Sequence, residues 1–220
     1  MIVSQVLQLI GIAIGASAVI VQYFLAVQLF TGNGMGLAGA TVKFFSFFTI
    51  LTNIFVVLVH VAGLSRNPLA FFRQPRVVAT AVIAIAIVGI VYHFLLASLW
   101  NPQGLQKVTD IMLHYAAPIV MIVWWLACGR SRQLRWADMP LFLIYPLAYL
   151  GYVLVRAPIA GEVPYPFLDF WQNGWSSVIA MIAAILAMFI VMAALAVAAD
   201  RYLPSPPKQA PASKAGSDAV

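Results

Sequence analysis

The sequence predicts an all-α polytopic membrane protein: a bundle of six transmembrane helices with both termini on the cytoplasmic side. Three observations carry the prediction. First, 64% of the 220 residues are hydrophobic and only 8% charged, where an average soluble domain carries roughly a quarter charged residues. The mean hydropathy is +0.98. Second, the apolar residues fall into six blocks, each near the roughly 20 residues that a helix needs to cross a bilayer. Third, the basic residues sit between those blocks and mostly on one side. That placement assigns the formal charge of +6 to membrane topology and excludes a nucleic-acid partner.

The first block, about residues 6–30, follows Met1-Ile2-Val3-Ser4-Gln5, which has no basic segment, and it is too long for a secretory signal. It is read as a retained first helix, with Gly11 and Gly15 forming a small-xxx-small pair for close packing. The second block, 42–63, carries Thr49, Thr52, Asn53 and His60. The third, 78–99, carries Tyr92 and His93, and the fourth, 109–128, carries Asp110, His114 and Pro118. The fifth, 139–157, has a stripe of Tyr145, Tyr149, Tyr152 and Arg156 at spacings of four, three and four. The sixth spans 175–199. Between the blocks lie turn-forming segments such as Gly32-Asn33-Gly34-Met35-Gly36 and Asn101-Pro102-Gln103-Gly104. From 204 to 220 the chain turns Pro-rich and polar and is expected to be a disordered cytoplasmic tail. Cys128 is the only cysteine, so no internal disulfide can form.

With six spans, Arg66, Arg73, Arg76, Arg130, Arg132, Arg135, Arg201, Lys208 and Lys214 share one face, and Lys43, Lys107 and Arg156 the other. The positive-inside rule makes the first face cytoplasmic. Trp100, Trp136, Trp171 and Trp175 fall near block ends, where interfacial aromatics belong.

Polar side chains inside a bilayer are costly, so each is a functional candidate. Thr49 and Asn53 share a helix face. At about 1.5 Å per residue, Thr49, His93 and His114 all lie roughly 8–10 Å below the outer surface. A threonine hydroxyl needs a base within hydrogen-bond reach to act as a nucleophile, and a neutral histidine can take and return that proton. Thr49 and His114 would fill these roles, with Asp110 orienting the imidazole and Asn53, beside Thr52, donating to an oxyanion. His93, Tyr149, Tyr152, Arg156 and Tyr165 are the expected pocket residues, Arg156 pairing with Asp110, Glu162 or Asp169. The alternative reading of these groups is structural: threonines bonding backbone carbonyls or bridging helices, and tyrosines packing.

The run Phe48-Thr49-Ile50-Leu51-Thr52-Asn53 resembles the helix-two motif of the androgen-induced membrane protein family, six-span intramembrane threonine hydrolases. His114-Tyr115-Ala116-Ala117-Pro118 resembles that family's His-x-x-x-Pro element, and Val163-Pro164-Tyr165-Pro166-Phe167 its loop after helix five. Thr52 stands where the family has asparagine, and Asn53 where it has glutamine. The likeness covers nearly the whole chain except the tail and is nearest to the bacterial branch. It implies a multi-pass protein of a bacterial plasma membrane, with Thr49 as nucleophile and His114 as base. The implied partners are membrane lipids, the implied substrates fatty acid esters of hydroxy fatty acids, and no cofactor or metal is expected. Rival readings are a non-enzymatic lipid-binding or scaffolding protein, a small-solute transporter using breaks at Pro118 and Pro146, and a haem protein ligated by His93 and His114.

Overall fold

The structure, a computed structural model, describes residues 2–65 and 69–204. Arg66, Lys208, Lys214 and the expected tail from 205 onward lie outside the described residues. The described chain is an all-α membrane bundle. Five helices are long and apolar enough to cross a bilayer, and a bent pair, counted as one span, makes a sixth. In the most apolar windows of the five, only 17–44% of residues are buried within the protein. Helices that are apolar all round yet mostly uncovered require lipid as their solvent.

α1 (Ile2–Gly32) packs along α3 (Phe48–Leu64) through its small residues. A Cβ on Gly11 would run into the His60 ring and one on Gly15 into Val57, while a Cβ on Gly63 of α3 would meet the Gln8 amide. The small-xxx-small pair thus sits at a real helix crossing. His60 is fully buried there, edge-on to Trp124.

α4 (Pro75–Val91) is the central helix. It opens with Pro at its first position, where the missing N–H costs nothing. Apart from Thr80 its residues from Val78 to Val88 are buried, and it touches α3, α6 and α8. A π-turn, Tyr92–Leu96, and a short 3₁₀ turn, Ala97–Leu99, complete that span. The fourth span runs as α5 (Gly104–Ile111), a π-turn (Met112–Ala116), α6 (Ala117–Trp124) and a second π-turn (Trp125–Gly129). The fifth begins as 3₁₀ helix (Trp136–Leu143) around Pro140 and continues as α7 (Ile144–Ala160), ending at the left-handed Gly161. α8 (Phe170–Tyr202) is capped by Asp169 and kinked at Gly174, whose φ of 73° suits glycine.

The second span departs from the single helix expected over 42–63. It is α2 (Leu37–Phe44) and α3, meeting at a 69° bend across residues 45–47. No Gly or Pro causes the bend. Ser46 does so with help from α7: its hydroxyl bonds the Val42 carbonyl at 2.6 Å and meets Tyr152 Oη at 2.8 Å, while Tyr149 Oη donates to the Ser46 carbonyl at 2.9 Å. Backbone groups freed inside a membrane must find such partners. The tyrosine stripe of the fifth span is therefore the brace of this break. The consequence is a helix N-terminus within the bundle, two residues into which stands Thr49.

Candidate active site

Each polar side chain of the site is held by an identifiable local cause. Thr49 lies in the first turn of α3, where an N–H has no acceptor in its own helix. Its N–H donates instead to Tyr165 Oη at 3.2 Å, and its Oγ1 lies 3.4 Å from the same hydroxyl. Tyr165 arrives from the loop after α7 and is almost completely buried. Thr52, one position round the helix, meets Tyr145 Oη at 3.1 Å and so bridges to α7.

His114 occupies the middle of the π-turn in the fourth span. There the Ala117 N–H reaches back to the Met112 carbonyl, one residue beyond the α register. The next donor in that register would be Pro118, which has no N–H, so the Leu113 carbonyl loses its partner. Asn53 Nδ2 supplies one, donating to Leu113 O at 3.2 Å and to Thr49 O at 2.8 Å. One amide thus ties the Thr49 turn to the His114 turn. Both its hydrogens are engaged, which leaves neither for an oxyanion in this arrangement.

The imidazole is oriented from two sides. Its Nδ1 lies 2.9 Å from the Asp110 carbonyl and 3.1 Å from Asp110 Oδ1. Tyr92 stacks on the ring, with centroids 3.7 Å apart and planes at 13°. The Tyr92 hydroxyl donates a short hydrogen bond to Asp110 Oδ2 and accepts from Trp100 Nε1 at 3.3 Å. With Nδ1 committed to Asp110, Nε2 is the nitrogen left to accept a proton. Asp110 itself is 5% exposed.

Thr49, His114, Asp110, Tyr92 and Tyr165 line one cavity of about 570 Å³, together with Gln22, Gln106, Trp100 and apolar residues of α1, α2 and α3. A second, narrower cavity of about 90 Å³ is lined almost wholly by hydrocarbon from α4, α7 and α8. Thr49, Tyr92, Leu96 and Tyr165 border both cavities. Thr49 and His114 therefore face one cavity from two helices, and no direct hydrogen bond joins them.

The remaining expected pocket residues take other places. Tyr149 lines the narrow cavity, and Tyr152 bonds Ser46 as described. Arg156 Nη2 pairs with Glu162 Oε1 at 2.9 Å, not with Asp110 or Asp169, and Lys43 Nζ holds the other oxygen of Glu162 at 2.5 Å. His93 is exposed and borders neither cavity, its Nδ1 meeting Tyr115 Oη at 3.2 Å. The His93 and His114 rings thus have separate partners. Among the described residues no cluster of three or more His, Cys, Asp or Glu could hold a metal. Gln22 and Gln106 also line the cavity and are not among the sequence candidates, although a glutamine within an apolar span, as Gln22 is, is itself a signal. Protein-family models, curated proteins and solved structures provide no match to this chain.

Proposed function

We propose that this integral membrane protein is an intramembrane threonine hydrolase of lipid esters, related to the androgen-induced membrane protein family. The observation that carries the reading is the shared cavity: Thr49 and His114 line it together, and His114 Nδ1 is already held by Asp110. In the proposed cycle, Thr49 Oγ1 attacks the ester carbonyl while His114 Nε2 takes its proton. The carbonyl oxygen becomes an oxyanion beside the first turn of α3, whose dipole favours negative charge. The Thr49 N–H, now given to Tyr165 Oη, is the donor it would take, since the Ile50 and Leu51 N–H groups bond the Phe47 carbonyl. Tyr165 Oη thus holds the position that a substrate carbonyl oxygen would take. Collapse of the tetrahedral species breaks the ester bond, and the imidazolium returns its proton to the leaving alkoxide. Water, deprotonated by His114, then releases the acid and restores Thr49.

The substrates in this reading are esters of membrane lipids, with fatty acid esters of hydroxy fatty acids the class that the family likeness suggests. The membrane is a bacterial plasma membrane, with both termini cytoplasmic and the cavity opening toward the outer leaflet. Fluorophosphonate labelling tests the chemistry. Wild-type protein in membranes should react, Thr49→Ala and His114→Ala should each lose labelling, and Thr52→Ala should keep a measurable part. Absence of both labelling and ester cleavage in wild-type membranes would rule the enzyme out and leave lipid binding as the reading of the cavity.

A further inference from the structure

Gln22 projects from the middle of an apolar helix into the larger cavity. Its carbonyl oxygen is anchored: Thr109 Oγ1 lies 2.6 Å from Gln22 Oε1, and Gln106 Nε2 lies 3.1 Å from it. A glutamine whose oxygen is so held presents its amide hydrogens in a fixed direction, and among the described residues the Gln22 Nε2 group has no hydrogen-bond partner. The chamber is partly open and of mixed polarity, so a ligand acceptor there would take these hydrogens in place of water.

The fourth span measures how far this amide is from the reacting groups. Thr109 and Gln106 precede His114 by five and eight residues, so Gln22 lies about 8–12 Å along the helix from the imidazole. The charge of the chamber is equally informative. Its lining includes the Asp110 carboxylate and no Lys or Arg. A second carboxylate would meet repulsion there without a cation to offset it.

We infer that Gln22 is a specificity-determining residue which binds an uncharged hydrogen-bonding group, a hydroxyl or carbonyl, on a ligand whose ester lies about 10 Å away at Thr49. The position of the ester rests on the proposed hydrolase reading; the binding of the polar group does not. The inference narrows the substrate class to lipid esters whose second polar group within the chamber is neutral; a fatty acid ester of a hydroxy fatty acid would fit only with its carboxylate outside the chamber.

Three probes of one length test it: methyl decanoate, methyl 10-hydroxydecanoate and the monomethyl ester of decanedioic acid. Binding is measured at neutral pH on detergent-solubilised full-length wild-type and Thr49→Ala protein, the latter to exclude turnover. The hydroxy ester should bind about five-fold more tightly than the unsubstituted ester in both proteins, the worth of one hydrogen bond, and the carboxylate no more tightly than the unsubstituted ester. Gln22→Leu and Gln22→Met, checked for unchanged melting, should each bring the hydroxyl preference to about one. Binding of none of the probes, tightest binding of the carboxylate, or a preference that survives both substitutions overturns the inference. Absence of turnover by wild-type protein with the preference intact would remove the hydrolase reading alone.

Discussion

Two polar networks sit at opposite ends of the bundle, and they are built on different terms. At the end bearing the basic loops, Asp200 is fully buried and its carboxylate accepts from three backbone N–H groups: Ser131 at 2.8 Å, Arg132 at 3.0 Å and Leu134 at 3.0 Å. Asp138 beside it takes Arg76 Nε at 3.0 Å and the Arg135 N–H at 2.9 Å. Arg130 and Arg132 then clasp the Ala199 and Arg201 carbonyls in the last turn of α8 and the Pro204 carbonyl just past it. At the cavity end, Asn53 Oδ1 is buried with no partner, and Asp110 Oδ1 has only its approach to the His114 ring. Buried polar atoms are nearly always satisfied. The difference teaches where geometry is finished and where it awaits something. The Asp200 network closes a loop onto a helix end and is complete. The cavity network orients His114 and ties its turn to that of Thr49, and it leaves the Asn53 and Asp110 Oδ1 atoms without a donor among the described residues.

The largest expected effect breaks the finished end. Asp200→Ala leaves three N–H groups without their carboxylate and should lower stability by about 3 kcal/mol, read as thermal unfolding in detergent. Labelling by a fluorophosphonate, per folded molecule, should stay within about two-fold of wild type if the two ends are independent. A loss of labelling equal to that of Thr49→Ala would show that they are one unit.

Asn53→Ala should invert that pattern. The Leu113 carbonyl would lose its second-span partner, at a stability cost of about 1–2 kcal/mol. The Thr49 and His114 turns would no longer be tied, and a misplacement near 1 Å can slow a reaction about a hundred-fold. Pro118→Ala sharpens the same point with a smaller change. It restores an N–H to the fourth span and allows the π-turn at His114 to relax toward regular helix. The expected result is equal or slightly higher thermal stability with labelling reduced about ten-fold. Unchanged labelling in Pro118→Ala would mean that the π-turn does not set the position of His114.

The contrast also explains what was legible in the sequence. Span existence and boundaries follow from hydrophobic runs, a local property, and all but the second appear close to where the apolar blocks place them. The pairing of Asp110 with His114 follows from a spacing of four on one helix. The break at residues 45–47 is different, because Phe45-Ser46-Phe47 reads as ordinary apolar helix. Its causes, Tyr149 and Tyr152, are about 100 residues away in the chain. The tyrosine stripe was visible, but its function as the brace that exposes the Thr49 turn depends on tertiary contact. The Asp200 network was equally hidden, since one aspartate at the end of an apolar block resembles any interfacial charge. Gln22 was legible by the rule that polar groups within a membrane matter, and only its anchoring by Thr109 and Gln106 distinguishes it from a packing residue.

The smallest expected effect concerns the loop that brings Tyr165 to Thr49. Burial raises the affinity of the Glu162 carboxyl for its proton, but the hydrogen bonds and charges of Arg156 and Lys43 outweigh it, so its pKa lies below the ordinary 4.5. A carboxyl whose folded pKa is depressed binds protons more readily in the unfolded chain. Its contribution to stability is therefore complete above the unfolded value and is lost as pH falls through the folded one. The pair ties α2 to the start of the loop, so below about pH 4.5 the loop end should loosen while the Asp200 end is unaffected by this group. Glu162→Gln should melt slightly earlier than wild type at neutral pH, and the gap should close as the pH is lowered below that value. Hydrogen exchange should show the loosening in residues 162–169, with residues 131–134 unchanged between the two proteins. Equal loosening at both ends would mean that the loop and the Asp200 network share one cooperative unit, and the comparison between the two networks would then describe chemistry alone and not independent mobility.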